Sequence, residues 1–554
     1  MVSALFNDAL NDPLGVIKTF TKSEGLAYSD ASHPSRIAAH FRNIFNDNDR
    51  LKQITPLNVF HPPEMHSNNA LVRFRAMVQD TSISPELYPS VLSDGSPGAW
   101  GLAESTELNL NPSSLDIHSL RQREVIWAVN VPGESPFVSE LLDDSVSPKI
   151  TSELPHNNTS LKYRHKDPLL RTSHIGLQVK VYDALITPLK PTDIYTFVGF
   201  LTTQHISIDE SSSTDVETDL AFYALHVLFV VDHSFGYTLN FSSPVDLIDQ
   251  NLHRPSDALR NEIIEWIANE GLAGDRDAAV WVLLTCISKS RRPQTMGYSF
   301  SRQPAILPLS LTISKIPYPE IPIMIPPLVN VLRLLLPLFV DIPLTLSSIN
   351  SQPFFPESQN EDLHSGYFQL PAGTLVLLSE FGVQEGAIND RGVRNIQALR
   401  GIVESQYLDY KFPFVPPHQF PTDLGLIVLT HGESSLFVST HINVPLKHQK
   451  ATLNGTGGVG SGCTPPGKIA SFRALIRNAK MGDVQIAEGI SEYIQSDFVS
   501  ERQKDQKTTA DDLVTWLNIS RLLALSYNQT TVTVDIWNEA KELDKRRKSR
   551  LNDK

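Results

Sequence analysis

The stretch GTLVLLSE, residues 373 to 380, carries the clearest signal of the fold. Three other apolar runs of strand length accompany it, LSLTIS (309–314), DIPLTL (341–346) and LGLIVLT (424–430), and proline or glycine bounds them. Near-continuous hydrophobicity of this kind is typical of strands that are covered on both faces, as in a parallel sheet. The sequence therefore predicts a mixed α/β core over residues 246–445.

The bulk composition limits the class of protein. A chain of 554 residues is too long for one hydrophobic core, so we expect about three domains. Its formal net charge of −14 argues against a bulk electrostatic grip on nucleic acid, which needs clustered positive charge. Cys286 and Cys463 are the two cysteines, which excludes a cysteine zinc site and favours a reducing, intracellular compartment.

The hydrophobic period changes along the N-terminal half. Residues 1–65 show helical spacing, whereas LVRFRAMVQD (71–80) alternates with a period of two and predicts a half-buried strand. Further strands are predicted at EVIWAVNV (124–131), GLQVKVYDAL (176–185) and IYTFVGFL (194–201). We interpret residues 66–245 as an OB-like β-rich domain with an exposed insertion at about 141–172.

Residues 446–468 form a glycine-rich linker or loop, and residues 469–554 are predicted to be helical with a basic tail. The apolar stretch at 321–346 has the length of a membrane span, but it carries Arg333, Asp341 and five prolines. It is therefore predicted to form a buried helix followed by a buried strand, and no membrane association is expected.

The stretch GTGGVGSGCTPPGKIAS, residues 455 to 471, satisfies the spacing of both G-x-G-x-x-G and G-x-x-x-x-G-K. A phosphate-binding loop also needs a buried strand before it and a serine or threonine after the lysine. Here the polar stretch LKHQKATLN (446–454) precedes the glycines, isoleucine follows Lys468, and two prolines lack N–H donors. We interpret the stretch as a flexible loop. An active ATPase with a divergent phosphate loop at 455–468 is the alternative.

Six segments, in this order and spacing, are distinctive: VRFRAMVQD (72–80), VPGESPFV (131–138), LQVKVYD (177–183), QLPAGTLVLLSE (369–380), GVRNIQALRGIVESQYLDYKF (392–412) and DFVSERQKDQKTTADDLVTWLNISRLLALSYNQTTVTVDIWNEAKEL (497–543). Together they resemble the minichromosome maintenance (MCM) complex-binding protein family, the non-helicase partner of the MCM replicative helicase. The resemblance implies a non-enzymatic nuclear partner or chaperone of MCM subunits that acts in MCM assembly or unloading from chromatin during DNA replication. Consequences for sister chromatid cohesion are implied too. It implies no cofactor, and contact with nucleic acid only through the MCM complex.

The C-terminal half also resembles an MCM-type AAA+ module that has lost its chemistry. GTLVLLSE is similar to a Walker B strand, but Ser379 replaces one of its two carboxylates, and LGLIVLTHGE occupies the sensor-1 strand without an asparagine near Thr430. In the lid, residues 469–554, Asp511 falls where MCM proteins carry an arginine that meets the nucleotide. An acid there would repel a triphosphate by about 1 kcal/mol. Walker A is absent between 292 and 321, so we predict a degenerate AAA+-like fold without catalysis.

Two short segments are candidate sites. The first contains a Pro-Gly turn that either closes a strand or forms a partner-contact loop; its residues are Val131, Pro132, Gly133, Glu134 and Ser135. The second is a basic run that could serve as a nuclear import signal, as favourable charge at a helix C-terminus, or as both; its residues are Lys545, Arg546, Arg547 and Lys548.

Other classes of site have weaker support. The 17 histidines form no H-E-x-x-H motif and no regular ligand pair, so no metal site is predicted. No nucleophile elbow of the G-x-S-x-G type occurs, so no catalytic residue is predicted. A single-strand nucleic-acid binder would need a basic groove with stacking aromatic side chains, and Arg73, Phe74 and Arg75 supply only a fragment of one.

Overall fold

A computed structural model describes most of the chain. The described residues are 2–92, 95–102, 119–138, 163–171, 174–182, 189–206, 220–232, 257–291, 306–317, 326–360, 362–447, 467–504, 506 and 508–552. Within them the architecture is mixed α/β with several sheets, which confirms the predicted class. Most of the glycine-rich loop and most of the predicted insertion lie outside the described residues.

The N-terminal helices are α1 (Val2–Asn11), α2 (Pro13–Ser23), α3 (His33–Ile44) and α4 (Asn48–Lys52). Phe41 and Phe45 share one hydrophobic core with Val198 and Phe229, which belong to the sheet that follows. The rings of Phe45 and Phe229 are stacked with centroids 6.1 Å apart. The helical segment is therefore built onto the β-rich part of the chain and has no separate core.

The β-rich part, which we call the barrel unit, contains β1 (Thr55–Pro56), β2 (Ala70–Asp80), β3 (Glu86–Pro89), β4 (Leu120–Asn130), β5 (Gly176–Val181), β6 (Ile194–Ile206) and β7 (Leu220–Asp232). The sheet order is β1-β2-β6-β7-β5-β4-β3, and β2 also pairs with β4. This extra pairing closes β2, β4, β5, β7 and β6 into a barrel. Val72, Phe74 and Ala76 are fully buried, as the alternating pattern predicts.

The α/β unit contains five helices and nine strands among its described residues. They are α5 (Asp257–Gly271), α6 (Arg276–Ile287), β8 (Ser310–Ser314), α7 (Pro327–Leu335), β9 (Phe339–Thr345), α8 (Leu346–Ser351), β10 (Glu357–Gln359), β11 (Asp362–His364), β12 (Leu375–Gly382), α9 (Asp390–Ser405), β13 (Tyr407–Tyr410), β14 (His418–Pro421), β15 (Gly425–Leu429) and β16 (Ile442–Pro445). The central sheet has the order β16-β8-β15-β12-β9, and all of its pairings are parallel.

Both faces of this sheet are covered. Leu375 and Leu377 of β12 point into a core shared with α5, α6 and α7, whereas Val376 and Leu378 point into a core shared with α9. The two cores explain why the apolar runs of these strands are nearly continuous. The predicted buried helix and strand within 321–346 are confirmed as α7 and β9. None of the helices described here has the length and apolar character needed to cross a membrane.

The C-terminal helices are α10 (Ile469–Met481), α11 (Glu488–Lys504), α12 (Ala510–Ser526) and α13 (Val534–Asn552). Ile519 and Leu523 of α12 join the core of the α/β unit. Trp516 and Trp537 form a second, smaller core with Ile494. The C-terminal segment is therefore helical, as predicted, while the boundaries proposed at residues 65, 245, 445 and 468 stay predictions.

Two features differ from the sequence-based expectations. The strand β16, which pairs with β8 and ends at Pro445 before the polar stretch 446–454, was not predicted. Its sequence, INVP, is too short and too polar to stand out as a strand. The prediction of an exposed insertion is also wrong at its C-terminal end, where Lys166 is 2% exposed and Asp167 is fully buried. Lys166 pairs with the carboxylates of Asp80 and Asp362, and Asp167 pairs with Arg171, so both buried charges are satisfied.

Candidate functional site

The candidate segment 131–135 lies between the barrel unit and the α/β unit. The Phe339 N–H donates to the Gly133 carbonyl at 2.8 Å, and the Ser135 N–H donates to the Pro337 carbonyl at 2.9 Å. These bonds form a short antiparallel bridge between Glu134 and Leu338, just before β9. The segment thus extends the backbone pairing of one unit onto the other.

Side chains reinforce this contact. The Ser135 hydroxyl, which is buried, donates to the Leu336 carbonyl at 2.5 Å, and Arg75 of β2 pairs with Glu134 at 3.0 Å. Gly133 has a φ of +73°, which is the conformation that the second central residue of a type II turn requires. The contacts favour the structural interpretation of the Pro-Gly turn. A direct role of these residues in binding another protein stays a prediction.

A second contact joins the two units through buried amide side chains. The Gln79 side chain donates to the Leu363 carbonyl at 3.1 Å, and the Gln369 side chain donates to the Gln79 carbonyl at 2.7 Å. Both glutamines are fully buried. Separating the two units would leave the buried amide nitrogens of both side chains without these acceptors, so the hydrogen bonds favour the assembled arrangement.

The same contact contains a cluster of potential metal ligands, His165, Asp362 and His364, whose ligand atoms all lie within 4.8 Å of one another. His165 Nε2 is 2.7 Å from Asp362 Oδ2, and Lys166 pairs with Asp362 Oδ1. Burial alone would raise the pKa of Asp362, but hydrogen bonds from His165 and Lys166 outweigh it and hold the pKa well below its usual range. Burial lowers the pKa of His364, with a smaller contribution from the nearby His165.

The sequence did not predict this cluster. His165 lies 197 positions before Asp362, so no local spacing connects them. The one local signal is the D-x-H pattern of Asp362 and His364, which places both side chains on one face of a strand. That pattern is too common to indicate a metal site by itself.

Ligands of parallel α/β sheets bind at the carboxyl ends of the strands. At that edge, Glu380 follows the apolar run of β12, and its carboxylate accepts from the Ser435 hydroxyl at 2.6 Å and from the Leu436 N–H at 3.1 Å. Glu380 is 5% exposed. Its carboxylate therefore holds the loop after β15, and in the described contacts it faces that loop and not a ligand site.

A phosphate cradle would follow β8, where the chain runs from Lys315 to Pro326 before α7 begins. This connection contains no glycine, and isoleucine follows its lysine, so it lacks the G-x-x-x-x-G-K-[ST] pattern. The Lys315 N–H donates to the Gly432 carbonyl at 3.0 Å, and the Ile316 N–H donates to the Thr430 carbonyl at 3.2 Å. These backbone donors serve the loop after β15, so they are not turned toward a phosphate.

Two further residues bear on nucleotide binding. Lys468, the lysine of the G-x-x-x-x-G-K mimic, pairs with Glu262 at 2.8 Å. Asp511 lies in the first turn of α12, and the next turns of that helix line a cavity of about 220 Å³ beside Leu309 and His441. Leu309 and His441 directly precede β8 and β16, so this cavity lies at the edge of the sheet opposite the carboxyl ends of its strands. This packing does not support the comparison of Asp511 with the arginine of an MCM lid.

The basic run 545–548 lies inside α13. Three of its side chains pair with nearby acids: Arg547 with Asp544 at 2.6 Å, Lys548 with Asp512 at 2.6 Å and Arg546 with Asp277 at 3.2 Å. Lys545 is different, because its side chain is 78% exposed and lies 3.8 Å from Glu542. The structure thus gives most of this run a role in folding, and nuclear import stays a prediction.

Comparison with known proteins relates the whole chain to one family. The family model of the mini-chromosome maintenance replisome factor matches residues 41–158 and 143–551. A mini-chromosome maintenance complex-binding protein of Arabidopsis thaliana is 24% identical over 98% of this chain and 99% of its own length. The protein of the same name in Salmo salar is 25% identical over 98% of this chain and 97% of its own length. The one in Dictyostelium discoideum is 30% identical over 46% of this chain and 37% of its own length. Because the family model covers well over half of the residues, the chain belongs to the mini-chromosome maintenance replisome factor family.

Proposed function

We propose that the chain is a non-enzymatic binding partner of the MCM complex. It acts in MCM assembly or unloading from chromatin during DNA replication, and its loss would affect sister chromatid cohesion. The observation that supports this proposal is the likeness, over 98% of the chain, to relatives that are named as MCM complex-binding proteins. The likeness extends over the barrel unit, the α/β unit and the C-terminal helices, so it does not rest on one common fold motif.

We further propose that the barrel unit is OB-like and that the α/β unit is a degenerate AAA+-like module with α10 to α13 as its lid. The closed five-stranded barrel supports the first assignment. The second is supported by β12 and β15, which resemble the Walker B and sensor-1 strands and pair in parallel through Leu375–Ser379 and Gly425–Leu429. Their carboxyl ends therefore meet at one edge, as a shared nucleotide site would require.

The alternative is an active ATPase that uses the glycine-rich stretch at 455–468. The connection after β8 lacks a glycine cradle and Lys468 pairs with Glu262, and both observations favour the non-enzymatic proposal. Thermal unfolding with magnesium ATP separates the two. A bound nucleotide at 100 times its Kd would add about 2.7 kcal/mol to the free energy of unfolding, whereas we expect no shift. A clear rise in Tm would favour the ATPase.

We propose that the lid forms part of the MCM-binding surface, because a module of AAA+ shape would dock on an MCM subunit as neighbouring subunits do. On α11, the side chains of Tyr493 and Val499 are exposed by 38% and 55%. Tyrosine is enriched among the residues that anchor protein interfaces, and neighbouring apolar side chains help to exclude water around such an anchor. Lacking hydrolysis, the module would hold or cap an MCM subunit without completing a catalytic ring.

Affinity capture of the tagged chain from nuclear extract, with and without ATP, tests this proposal. We expect MCM subunits in near-stoichiometric amounts, with at least one subunit missing, in both conditions. Y493E/V499E should lose most of this recovery, since a buried unpaired charge opposes docking. L87E is the matched control, because Leu87 is 66% exposed on the barrel unit. Recovery of no MCM subunit would contradict the binding proposal, and equal recovery by both variants would contradict the role of the lid.

The nucleus is the proposed location, and fractionation of the same cells tests it. Lys545 is the member of the basic run that is most exposed, so K545A removes a charge with little effect on folding. We expect the unaltered chain in the nuclear fraction. A reduced nuclear share of K545A would support an import signal at 545–548, and an unchanged share would leave helix stability as the role of that run.

A further inference from the structure

Three side chains that could ligate a metal ion meet where the barrel unit contacts the α/β unit. His165 lies in a one-turn 3-10 helix, Arg164–Lys166, in the segment that leads into β5. Asp362 and His364 lie on β11 of the α/β unit. One ligand atom from each of the three side chains lies within 4.8 Å of the others.

We propose that His165, Asp362 and His364 bind one divalent transition-metal ion of the zinc type, and that this ion links the two units. Two imidazole nitrogens and one carboxylate oxygen are a ligand set that such ions bind well. Zinc lies about 2.0–2.2 Å from such ligands, which places tetrahedral ligands about 3.3 Å apart. The side chains therefore need to move by only about 1 Å, and water would complete the coordination.

The charges around the cluster favour a cation. Lys166 pairs with Asp362 Oδ1 and lies 3.5 Å from Asp80 Oδ2. One ammonium therefore faces two carboxylates, and with neutral imidazoles these groups sum to a charge of −1. Because Lys166 occupies Oδ1 of Asp362, the other oxygen, Oδ2, is the one that faces His165 and can serve as a single ligand.

The backbone around the cluster is already in place for binding. The N–H and the hydroxyl of Ser365 both donate to the His165 carbonyl, at 2.8 and 3.0 Å. Asp362 and His364 are two positions apart on β11 and therefore project from the same face. The rings of His165 and His364 lie 4.3 Å apart. On binding, His165 would present Nε2 to the ion and keep its one proton on Nδ1.

Such an ion would stabilise the assembled form of the two units. Its ligands come from both units, so an open arrangement would break the site, and metal binding adds to the stability of the form that binds it. The inference concerns a contact within the chain, and it stands whether or not the chain binds MCM subunits.

The test uses the full chain after removal of any polyhistidine tag and after dialysis against a chelator. Zn²⁺ alone is titrated in competition with a chromophoric chelator, and Co²⁺ is added separately to record its visible absorption. We expect one Zn²⁺ per chain and a rise in Tm on binding. H165N and H364N should each weaken Zn²⁺ binding by at least about tenfold, the loss that even changes next to a ligand produce. Both should lose the Tm gain.

H66N is the matched control. His66 is half-buried, carries a hydrogen bond to the His61 carbonyl, and lies outside the cluster. All three variants should melt like the unaltered chain in the presence of the chelator, which separates loss of the site from loss of the fold. The proposal is overturned if the chain takes up no Zn²⁺, or if H165N and H364N bind it as tightly as H66N does. The cluster would then be an ion-pair network only.

Discussion

Replacing Arg550 with alanine is expected to lower the free energy of unfolding of the C-terminal region by about 3–5 kcal/mol, the usual loss when one partner of a buried ion pair is removed. Arg550 lies near the end of α13, and its guanidinium bonds to both carboxylate oxygens of Asp275, at 2.6 and 3.1 Å. The two side chains are only 8% and 2% exposed. Arg550→Ala would leave the carboxylate buried without its cation.

Asp275 makes this ion pair a junction of three segments. It caps the N-terminus of α6 by accepting from the Ala278 N–H at 3.1 Å, and it also accepts from the Lys447 N–H at 2.9 Å, just after β16. D275A should therefore cost at least as much as R550A, because it removes an N-cap worth about 1 kcal/mol as well. The double variant should cost less than the sum of the two single variants, since the pair is removed together.

Hydrogen exchange of peptides from α6 and α13, followed by mass spectrometry, is the suitable measurement, because a chain with several units need not unfold in one step. Both peptides should exchange much faster in R550A. K545A in the same helix is the control, and it should change the opening free energy by less than about 0.5 kcal/mol because that side chain is exposed. If R550A behaved like K545A, the ion pair would not hold α13 in place.

Replacing Gly133 with alanine is expected to destabilise the contact between the two units by about 2–5 kcal/mol. The φ of +73° costs an ordinary residue about 1–2 kcal/mol. A Cβ at this position would also lie 2.5 Å from Val340 Cγ2 and 3.2 Å from the Phe339 carbonyl oxygen. Val340 is buried and β-branched, so it cannot turn away, and overpacking of this kind costs about 1–3 kcal/mol.

G25A separates the two contributions. Gly25 has a φ of +62°, but a Cβ there would meet nothing within 4 Å, so this variant has the backbone cost without the clash. Exchange of peptides that cover 131–138 and 336–340 should accelerate in G133A and stay unchanged in G25A. S135A should give a smaller acceleration, because the Leu336 carbonyl loses a hydroxyl donor. Equal exchange of G133A and the unaltered chain would show that this contact does not hold the units together.

The elements of the fold could be predicted where local pattern reports burial. The runs at 309–314, 341–346, 373–380 and 424–430 could be recognised as β8, β9, β12 and β15, because a strand covered on both faces carries a nearly continuous apolar run. The strand β16 was missed because its four residues include asparagine and proline, and its place in the sheet depends on pairing with β8. Pairing partners are set by tertiary contacts, which local periodicity does not contain.

The candidate sites show the same division. The Pro-Gly turn could be recognised from sequence because a type II turn requires a glycine with positive φ, but the contact of its residues with β9 could not. The basic run was visible as charge, whereas the pairing of Arg547 with the buried Asp544 depends on how α13 packs. Composition reports that a charge is present, and only the fold determines whether another side chain neutralises it.

The sequence by itself determined the family, the mixed α/β class, four of the five strands of the parallel sheet and the lack of a phosphate-loop pattern after β8, since each depends on residue identity or local spacing. Only the tertiary structure decided that segment 131–135 lies between two units and that His165 meets Asp362 and His364. His165 lies 197 positions before Asp362, and these residues meet because hydrophobic burial and buried hydrogen bonds bring the two units together.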